Sequence, residues 1–324
     1  GDFLWTPSEQ STLFTASYYG SMATVLFGGS LADRFGPKRI LLASLAVTTL
    51  IAFFTPTIAR MSVWAYFITR IVQGMTDGFF VPAINSVSAL WFPPTEKSSM
   101  AALYTSGVQL AGGTSSLVGS RLCSLNLLGG WPLIFYLAGL IGVIWIILFS
   151  TLVTDHPANN RFVSQNELMY LENNTQTQKT QRPRFSEIPW YHILTSPPFY
   201  ACLLCHIAFS FCASINVNFL PMYFKEELQL SISSNGLYTM APFYTQLIFK
   251  NIIALIADHL KKSRKLSTTA TVKLIQSIGS FGTSFLFICL VTLPNCDRPW
   301  IALACLVLFG TNSSLSCFSL RVLI

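Results

Sequence analysis

Charged residues are scarce in this chain of 324 residues. Only 10% of its side chains are Asp, Glu, Lys or Arg, whereas 52% of its residues are hydrophobic. Ordinary soluble domains carry about 25% charged residues and need them to cover a surface that water solvates. The composition therefore argues against a soluble protein and predicts a chain that lies in a lipid bilayer.

Groups that build metal and catalytic centres are also sparse. Most of the eight cysteines lie in apolar runs, and the CxxC pair of Cys202 and Cys205 has no second pair, so we expect buried thiols and no metal site. We find no set of nucleophile, histidine and acid that indicates an enzyme, and no cofactor is expected. The basic residues behind the net charge of +7 gather in short segments between apolar runs, which excludes a nucleic-acid-binding face.

Apolar segments of membrane length recur along the chain. Runs of about 20 residues with few charges predict transmembrane helices. Nine such segments lie near residues 11–32, 38–58, 62–91, 98–124, 131–153, 198–223, 233–257, 271–293 and 299–320. Basic loops alternate with poorly charged ones, which places the basic loops in the cytoplasm. We therefore predict a helical half at 1–153, a cytoplasmic connector at 154–197 and a second helical half at 198–324.

A charged, glycine-punctuated turn joins the first two apolar segments. It follows the pattern Gly-x-x-x-Asp-Arg-x-Gly-x-Lys-Arg, in which the defined positions are Gly29, Asp33, Arg34, Gly36, Lys38 and Arg39. Between two membrane-length runs, this pattern resembles the signature of the major facilitator superfamily, in the loop between its second and third helices. The resemblance implies an all-α membrane protein with the major facilitator fold.

Further motifs indicate which family within the superfamily the chain resembles. They are Arg70-x-x-Gln73-Gly74-x-x-Asp77-Gly78, Trp91-x-Pro93-Pro94-x-Glu96-Lys97-Ser98 and Leu220-Pro221-x-Tyr223-x-Lys225-Glu226. Their order and spacing resemble the anion:cation symporters, which include sialin, the vesicular glutamate transporters and relatives of the sodium-phosphate cotransporters. The nine segments then correspond to helices 2–10 of twelve, so the first helix and the last two are expected to be missing. This leaves a truncated, non-transporting protein or a receptor or scaffold as the alternative.

The resemblance also implies a function. A member of this family moves small organic anions across a membrane by alternating access, with H⁺ or Na⁺ as the coupling ion. Glutamate carriers have a His early in their second helix and an Arg in their seventh, where this chain has Phe14 and Phe209, so glutamate is not the expected cargo. We expect a monomer in the plasma membrane or in a lysosomal or vesicular membrane.

Three polar residues within one predicted span are the candidates for binding and coupling. An arginine at the bilayer centre costs about 2.5–3.5 kcal/mol on insertion scales, so Arg70 is expected to bind the anion bidentately. Gln73 lies on nearly the same helical face and either donates to an anion or bridges helices. Asp77 stands where the family carries a Glu that is tied to proton coupling, and the alternative is a carboxylate that Arg70 or another helix neutralises. Lys250, in another span, either binds an anion or pairs with a carboxylate.

The charged turn has two interpretations. In the family, contacts made by Asp33 and its neighbours hold the outward-open state and break when the cytoplasmic side opens. Asp33 is placed to pair with a cation or to cap the N-terminus of the next helix. Alternatively, Arg34, Lys38 and Arg39 only anchor the loop in the cytoplasm. Gating accounts for Asp33 and Gly36 as well, since neither contributes to topology.

Overall fold

The computed structural model describes residues 5–93, 97–124, 129–174, 189–262, 268–294 and 298–323. Within these ranges the chain forms eleven α-helices: α1 (Pro7–Phe35), α2 (Pro37–Met61), α3 (Val63–Trp91), α4 (Lys97–Ser124), α5 (Pro132–Leu152), α6 (Gln165–Asn174), α7 (Trp190–Leu194), α8 (Pro197–Glu226), α9 (Ile232–Lys262), α10 (Thr268–Thr292) and α11 (Trp300–Leu323). A single 3₁₀ turn, Pro157–Asn159, lies between α5 and α6.

The nine predicted apolar segments coincide with the nine long helices, α1–α5 and α8–α11. Helices are expected in a bilayer because they satisfy every backbone hydrogen bond internally. Among the described residues, three whole helices, α2, α5 and α8, are long and apolar enough to cross a membrane. Residues Lys273–Thr292, which make up most of α10, are also long and apolar enough. In α4, small and polar residues dilute the apolar ones, as its seven serines and two threonines show. Residues Trp300–Leu315 of α11 are apolar but form a shorter stretch.

Local signals set several helix ends. Thr6 caps α1 in a capping box with Glu9, where its side chain accepts from the Glu9 amide and the Glu9 carboxylate accepts from the Thr6 amide. Ser62 separates α2 from α3 and accepts a hydrogen bond from the amide of Trp64 at 3.2 Å. The long run near 62–91 is one helix of 29 residues that contains Pro82.

The first compact unit comprises residues 1–101 and 126–180. Within it, α1 packs along α3, and α2 packs against both α3 and α5. Glycines make the α1–α3 approach close: a Cβ atom on Gly74 would lie 1.9 Å from the Ser17 carbonyl oxygen, and one on Gly78 would lie 2.7 Å from that of Ser21. The small-residue spacing of α3 is therefore a helix-packing surface.

The second compact unit comprises residues 102–125 and 181–324. Its α11 packs against α9 and α10. A buried cluster around Phe224 and Leu306, both with no exposed surface, joins α8, α10 and α11. The division into halves at 153 and 198 stays a prediction from the sequence.

Candidate functional site

Arg70 lies in the second turn of α3, half-buried in the first unit. Its Nη1 donates to the Oε1 of Gln73 over a long 3.4 Å, and its guanidinium carbon lies 5.2 Å from the centre of the Tyr66 ring. Its Nε is buried and has no hydrogen-bond partner among the residues that the structure describes. The guanidinium is thus positioned by its own helix and keeps donors available for an anion.

Gln73 lies beside Arg70 and links this part of α3 to α2. The side-chain oxygen of Gln73 accepts from Arg70, while its backbone carbonyl accepts from the Thr76 hydroxyl at 2.6 Å. The Thr76 hydroxyl in turn lies 2.9 Å from that of Thr48 on α2. Within the described structure, the side chain of Gln73 contacts Arg70 on its own helix, and the contact with α2 is made by Thr76. Donation by Gln73 to an anion stays a prediction.

Asp77 lies two turns beyond Arg70 on α3 and is exposed on the first unit. The two side chains form no direct ion pair within the described part of the chain, although the Arg70 charge acts on the Asp77 carboxylate. Gly74 and Gly78, on either side of Asp77, pack against α1 and fix this part of α3. Arg70 and Asp77 therefore lie two turns apart on a helix that packs closely against α1.

The charged turn between α1 and α2 is built around Gly36. This residue has φ +89°, a left-handed value that favours glycine, and its amide donates to the Ala32 carbonyl at 3.0 Å. The amide of Lys38, in the first turn of α2, donates to Oδ1 of Asp155 at 2.8 Å. The Lys38 ammonium donates to the Ser150 carbonyl at 2.8 Å. These two hydrogen bonds of Lys38 hold the turn against the end of α5 and the segment that follows it.

Asp155 is the functional candidate that the sequence did not single out. The sequence places Asp33 to pair with a cation or to cap α2, and the structure brings the carboxylate of Asp155 to the N-terminus of α2. A carboxylate is favourable there because the first amides of a helix have no partners within the helix. The only signal was an acidic residue just after an apolar run, and the sequence did not show which helix end it would reach.

The other members of the motif have separate surroundings. The hydroxyl of Ser86 on α3 donates to Oδ1 of Asp33 at 3.3 Å, so Asp33 contacts the helix that carries Arg70. Arg34 and Arg39 are exposed, and the Arg34 guanidinium lies 5.6 Å from the centre of the Phe35 ring. A Cβ on Gly29 would meet nothing within 4 Å. The motif thus divides into a fixed turn, a contact with α3 and two exposed cations.

The second unit contains a buried cation and a cavity. Lys250 is only 3% exposed, and its Nζ donates to the Thr105 hydroxyl. A cavity of about 350 Å³ lies among α8, α9, α10 and α11, and Phe209, at the position of the arginine of glutamate carriers, lines it. The described residues around this cavity include no charged side chain.

The fold and the charged turn are those of a multi-pass helical membrane protein. The model of the Major Facilitator Superfamily matches residues 1–324, so the chain belongs to this superfamily. It is a multi-pass integral membrane protein, and because the superfamily consists of transporters, membership supports the expectation that it is not an enzyme.

Curated relatives agree with the resemblance to anion:cation symporters. The chain is 34% identical over 300 residues to an uncharacterized transporter of Caenorhabditis elegans, slc-17.3, in a match that covers 92% of this chain and 56% of the relative. It is 32% identical over 299 residues to a putative inorganic phosphate cotransporter of Drosophila melanogaster, with the same coverage of both chains. The chain therefore spans about half the length of the curated relatives it matches.

Solved structures show the same fold. A bacterial homologue of the human lysosomal transporter Spinster, in an inward-facing and occupied conformation, matches with a TM-score of 0.69 at 14% identity, over 97% of this chain and 66% of that one. The inward-open xylose transporter XylE from E. coli matches with a TM-score of 0.68 at 13% identity, over 96% of this chain and 70% of that one. These likenesses confirm the major facilitator architecture.

Proposed function

We propose that this chain forms part of a secondary active transporter that carries a small organic anion by alternating access, as a monomer and coupled to H⁺ or Na⁺. Arg70 binds the anion, Gln73 orients Arg70, and Asp77 takes the coupling proton. The observation that carries the proposal is the buried, unpartnered Nε of Arg70 on a membrane helix. The membrane is the plasma membrane or a lysosomal or vesicular one.

The electrostatics of Arg70 support an anionic cargo. A cation within a membrane helix is costly, and such residues commonly mark a substrate pathway. Arg70 is half-buried, and its Nε is fully buried. A guanidinium offers two parallel N–H donors that match a carboxylate or a phosphate. In this structure the hydrogen bond from Nη1 of Arg70 to Gln73 is long, at 3.4 Å, so an anion can replace it and bind the guanidinium bidentately. An incoming carboxylate would satisfy the Nε that the protein leaves unpaired.

Inorganic phosphate is a second candidate cargo. Relatives of this chain are named as inorganic phosphate cotransporters, and the same Arg70 fork fits phosphate oxygens as well as a carboxylate. Competition separates the two. If a monocarboxylate inhibits phosphate uptake without being taken up itself, phosphate is the cargo, and the reverse result identifies the organic anion.

The test is uptake of labelled anions into vesicles that contain a full-length version of the protein. Arg70→Ala should abolish saturable uptake while the protein still reaches the membrane, and Arg70→Lys should keep a weakened activity because it retains the charge but not the fork. Arg60→Ala is the matched control, since Arg60 ends α2 as an exposed arginine, 5.7 Å from the Trp131 ring. Normal saturable uptake by Arg70→Ala would remove the proposal, and absence of uptake in the unaltered protein would favour a non-transporting membrane protein.

A further inference from the structure

The cavity of the second unit contains polar atoms that the protein leaves without partners. The Oδ1 of Asn216 on α8 and the hydroxyl of Thr283 on α10 are both buried and make no hydrogen bond to any described residue. Both residues line the cavity, and each is only 8% exposed. A buried polar atom without a partner costs free energy, so two of them around one cavity call for an explanation.

The orientation of Asn216 makes its oxygen the available atom. Its amide nitrogen donates to the Cys212 carbonyl, one turn earlier in α8, at 2.8 Å. This bond ties the nitrogen side to the helix and leaves Oδ1 as an acceptor without a donor. The arrangement selects a ligand group that brings an O–H or N–H.

Thr283 departs from the behaviour of its neighbours on α10. Hydroxyls in helices usually bond to the carbonyl one turn earlier, as Ser284 does to Ser280 at 3.0 Å and Thr292 does to Ile288 at 2.9 Å. Thr283 makes no such bond in the described structure. Its hydroxyl therefore remains able both to donate and to accept, which suits a second hydroxyl group.

The rest of the lining defines the chemical class. The cavity of about 350 Å³ falls within the range of about 300–1,000 Å³ typical of small-molecule sites. Aromatic rings of Phe209, Phe243 and Phe309 contribute to its wall, and the described lining residues carry no charge. An ion would lose its hydration there without a counter-charge, whereas an uncharged ring or chain with hydroxyl groups would satisfy both free atoms.

We propose that this cavity binds a neutral, hydroxyl-bearing small molecule of the polyol or sugar class, through Asn216 and Thr283. The site goes beyond the proposed function, because it is separate in chemistry from the cation at Arg70. Its occupancy should therefore be unaffected by Arg70→Ala.

The first experiment measures thermal unfolding of purified full-length protein with increasing D-glucose or myo-inositol. A ligand that binds the folded state raises the midpoint in a saturable way. Asn216→Leu replaces the whole amide, so it removes the oxygen together with the nitrogen that donates to Cys212, whereas Thr283→Val removes only the hydroxyl. Each variant should raise the half-saturating concentration about tenfold, the loss expected for one buried hydrogen bond to the ligand. Thr283→Ser keeps the hydroxyl and should retain binding.

Asn251→Leu is the matched control. Asn251 on α9 makes the same amide bond, to the Leu247 carbonyl at 3.0 Å, but it is exposed and does not line the cavity. Its replacement should leave the response to both probes unchanged. If neither D-glucose nor myo-inositol shifts the midpoint in a saturable way, the assignment to the polyol class is wrong.

The unliganded variants give a second, independent outcome. Asn216→Leu and Asn251→Leu both lose an amide bond to the carbonyl one turn earlier, and the described structure shows no further bond to lose at Oδ1 of Asn216. Without ligand, Asn216→Leu should therefore lower the midpoint no more than Asn251→Leu does. A midpoint clearly below that of Asn251→Leu would mean that another part of the full-length chain partners this oxygen, and it would overturn the proposal.

Two cysteines locate the bound probe. Cys205 lines the cavity, whereas Cys202, one turn earlier on α8, does not. Saturating D-glucose or myo-inositol, whichever shifts the midpoint, should slow labelling of Cys205 by N-ethylmaleimide and leave Cys202 unchanged, as followed by mass spectrometry. Equal rates with and without the probe at both cysteines would place its binding elsewhere and contradict the proposal.

Discussion

Replacement of Gly36 by alanine should destabilise the charged turn through two separable effects. The first is conformational, because Gly36 has φ +89°, where a side chain is strained. The second is steric, because a Cβ at this position would lie 3.0 Å from Oδ2 of Asp155 and 3.3 Å from its Oδ1. That carboxylate holds the amide of Lys38 at 2.8 Å, so any shift of Asp155 weakens the cap on α2.

The magnitude follows from these two contributions. Strain at a disfavoured backbone conformation costs about 1–3 kcal/mol, and loss of a helix N-terminal cap costs about 0.5–2 kcal/mol. We therefore expect Gly36→Ala to lower the free energy of unfolding by about 2–4 kcal/mol. Asp155→Ala alone should cost only the contribution of the cap.

The assay is reversible unfolding in mixed micelles, measured for both single variants and for the double variant. In the Asp155→Ala background, Gly36→Ala should cost only its backbone strain, so the double variant should be less destabilised than the sum of the singles. Gly29→Ala is the control from the same motif, since its Cβ meets nothing and alanine favours a helix by up to about 1 kcal/mol. A Gly36→Ala protein as stable as the unaltered one would refute this account of the turn.

Two further predictions concern the packing of α1 on α3. Gly74→Ala places a Cβ 1.9 Å from the Ser17 carbonyl oxygen, which cannot rotate away, so it should lower the free energy of unfolding by about 1–3 kcal/mol. Gly107→Ala is the control, because a Cβ on Gly107 meets nothing within 4 Å, and it should be neutral or stabilising. Thr24→Val removes a 2.9 Å bond to a backbone carbonyl of α3 and should cost about 0.6 kcal/mol. Thr15→Val should cost less, because the Thr15 hydroxyl bonds to a carbonyl of its own helix, α1. Equal effects of Gly74→Ala and Gly107→Ala, or of Thr24→Val and Thr15→Val, would contradict the packing of α1 on α3.

The helices were predictable because the bilayer imposes their length and their backbone pattern. The position of Arg70 inside an apolar run was also visible, and its surroundings agree with a residue kept available for a ligand. Gly74 and Gly78 lie four residues apart, a spacing that permits close helix contact, and the structure shows that they contact α1. The spacing alone does not identify that partner helix.

Tertiary contacts account for what the sequence did not reveal. Asp155 follows Lys38 by more than a hundred residues, and only the packing of α2 on α5 brings the two together. Similarly, nothing in the local sequence distinguishes Thr283 from Ser284, although one hydroxyl bonds within its helix and the other does not. Whether a hydroxyl is satisfied depends on neighbouring helices and not on its own segment.

The coupling role proposed for Asp77 leads to a quantitative expectation for its removal. Seven residues at a rise of about 1.5 Å separate Arg70 from Asp77 by about 10 Å along one helix. Both residues lie on one helix, so we expect the proposed coupling to act through the charge of Asp77. Two unit charges at about 10 Å with an effective dielectric constant of about 20 interact by about 1.7 kcal/mol.

An ionised Asp77 therefore repels an anion held at Arg70 by about this amount, and protonation of Asp77 removes the repulsion. Because binding linkage is reciprocal, an anion bound at Arg70 favours protonation of Asp77, as cotransport of an anion with a proton requires. Asp77→Asn mimics the protonated state, so anion affinity should rise on the order of tenfold at a pH where Asp77 is ionised, and the pH dependence of uptake should disappear. Anion binding and uptake measured from pH 5 to 8 test this. An unchanged pH profile in Asp77→Asn would assign the proton to another residue, and a weaker affinity would show that Asp77 supports anion binding rather than opposing it.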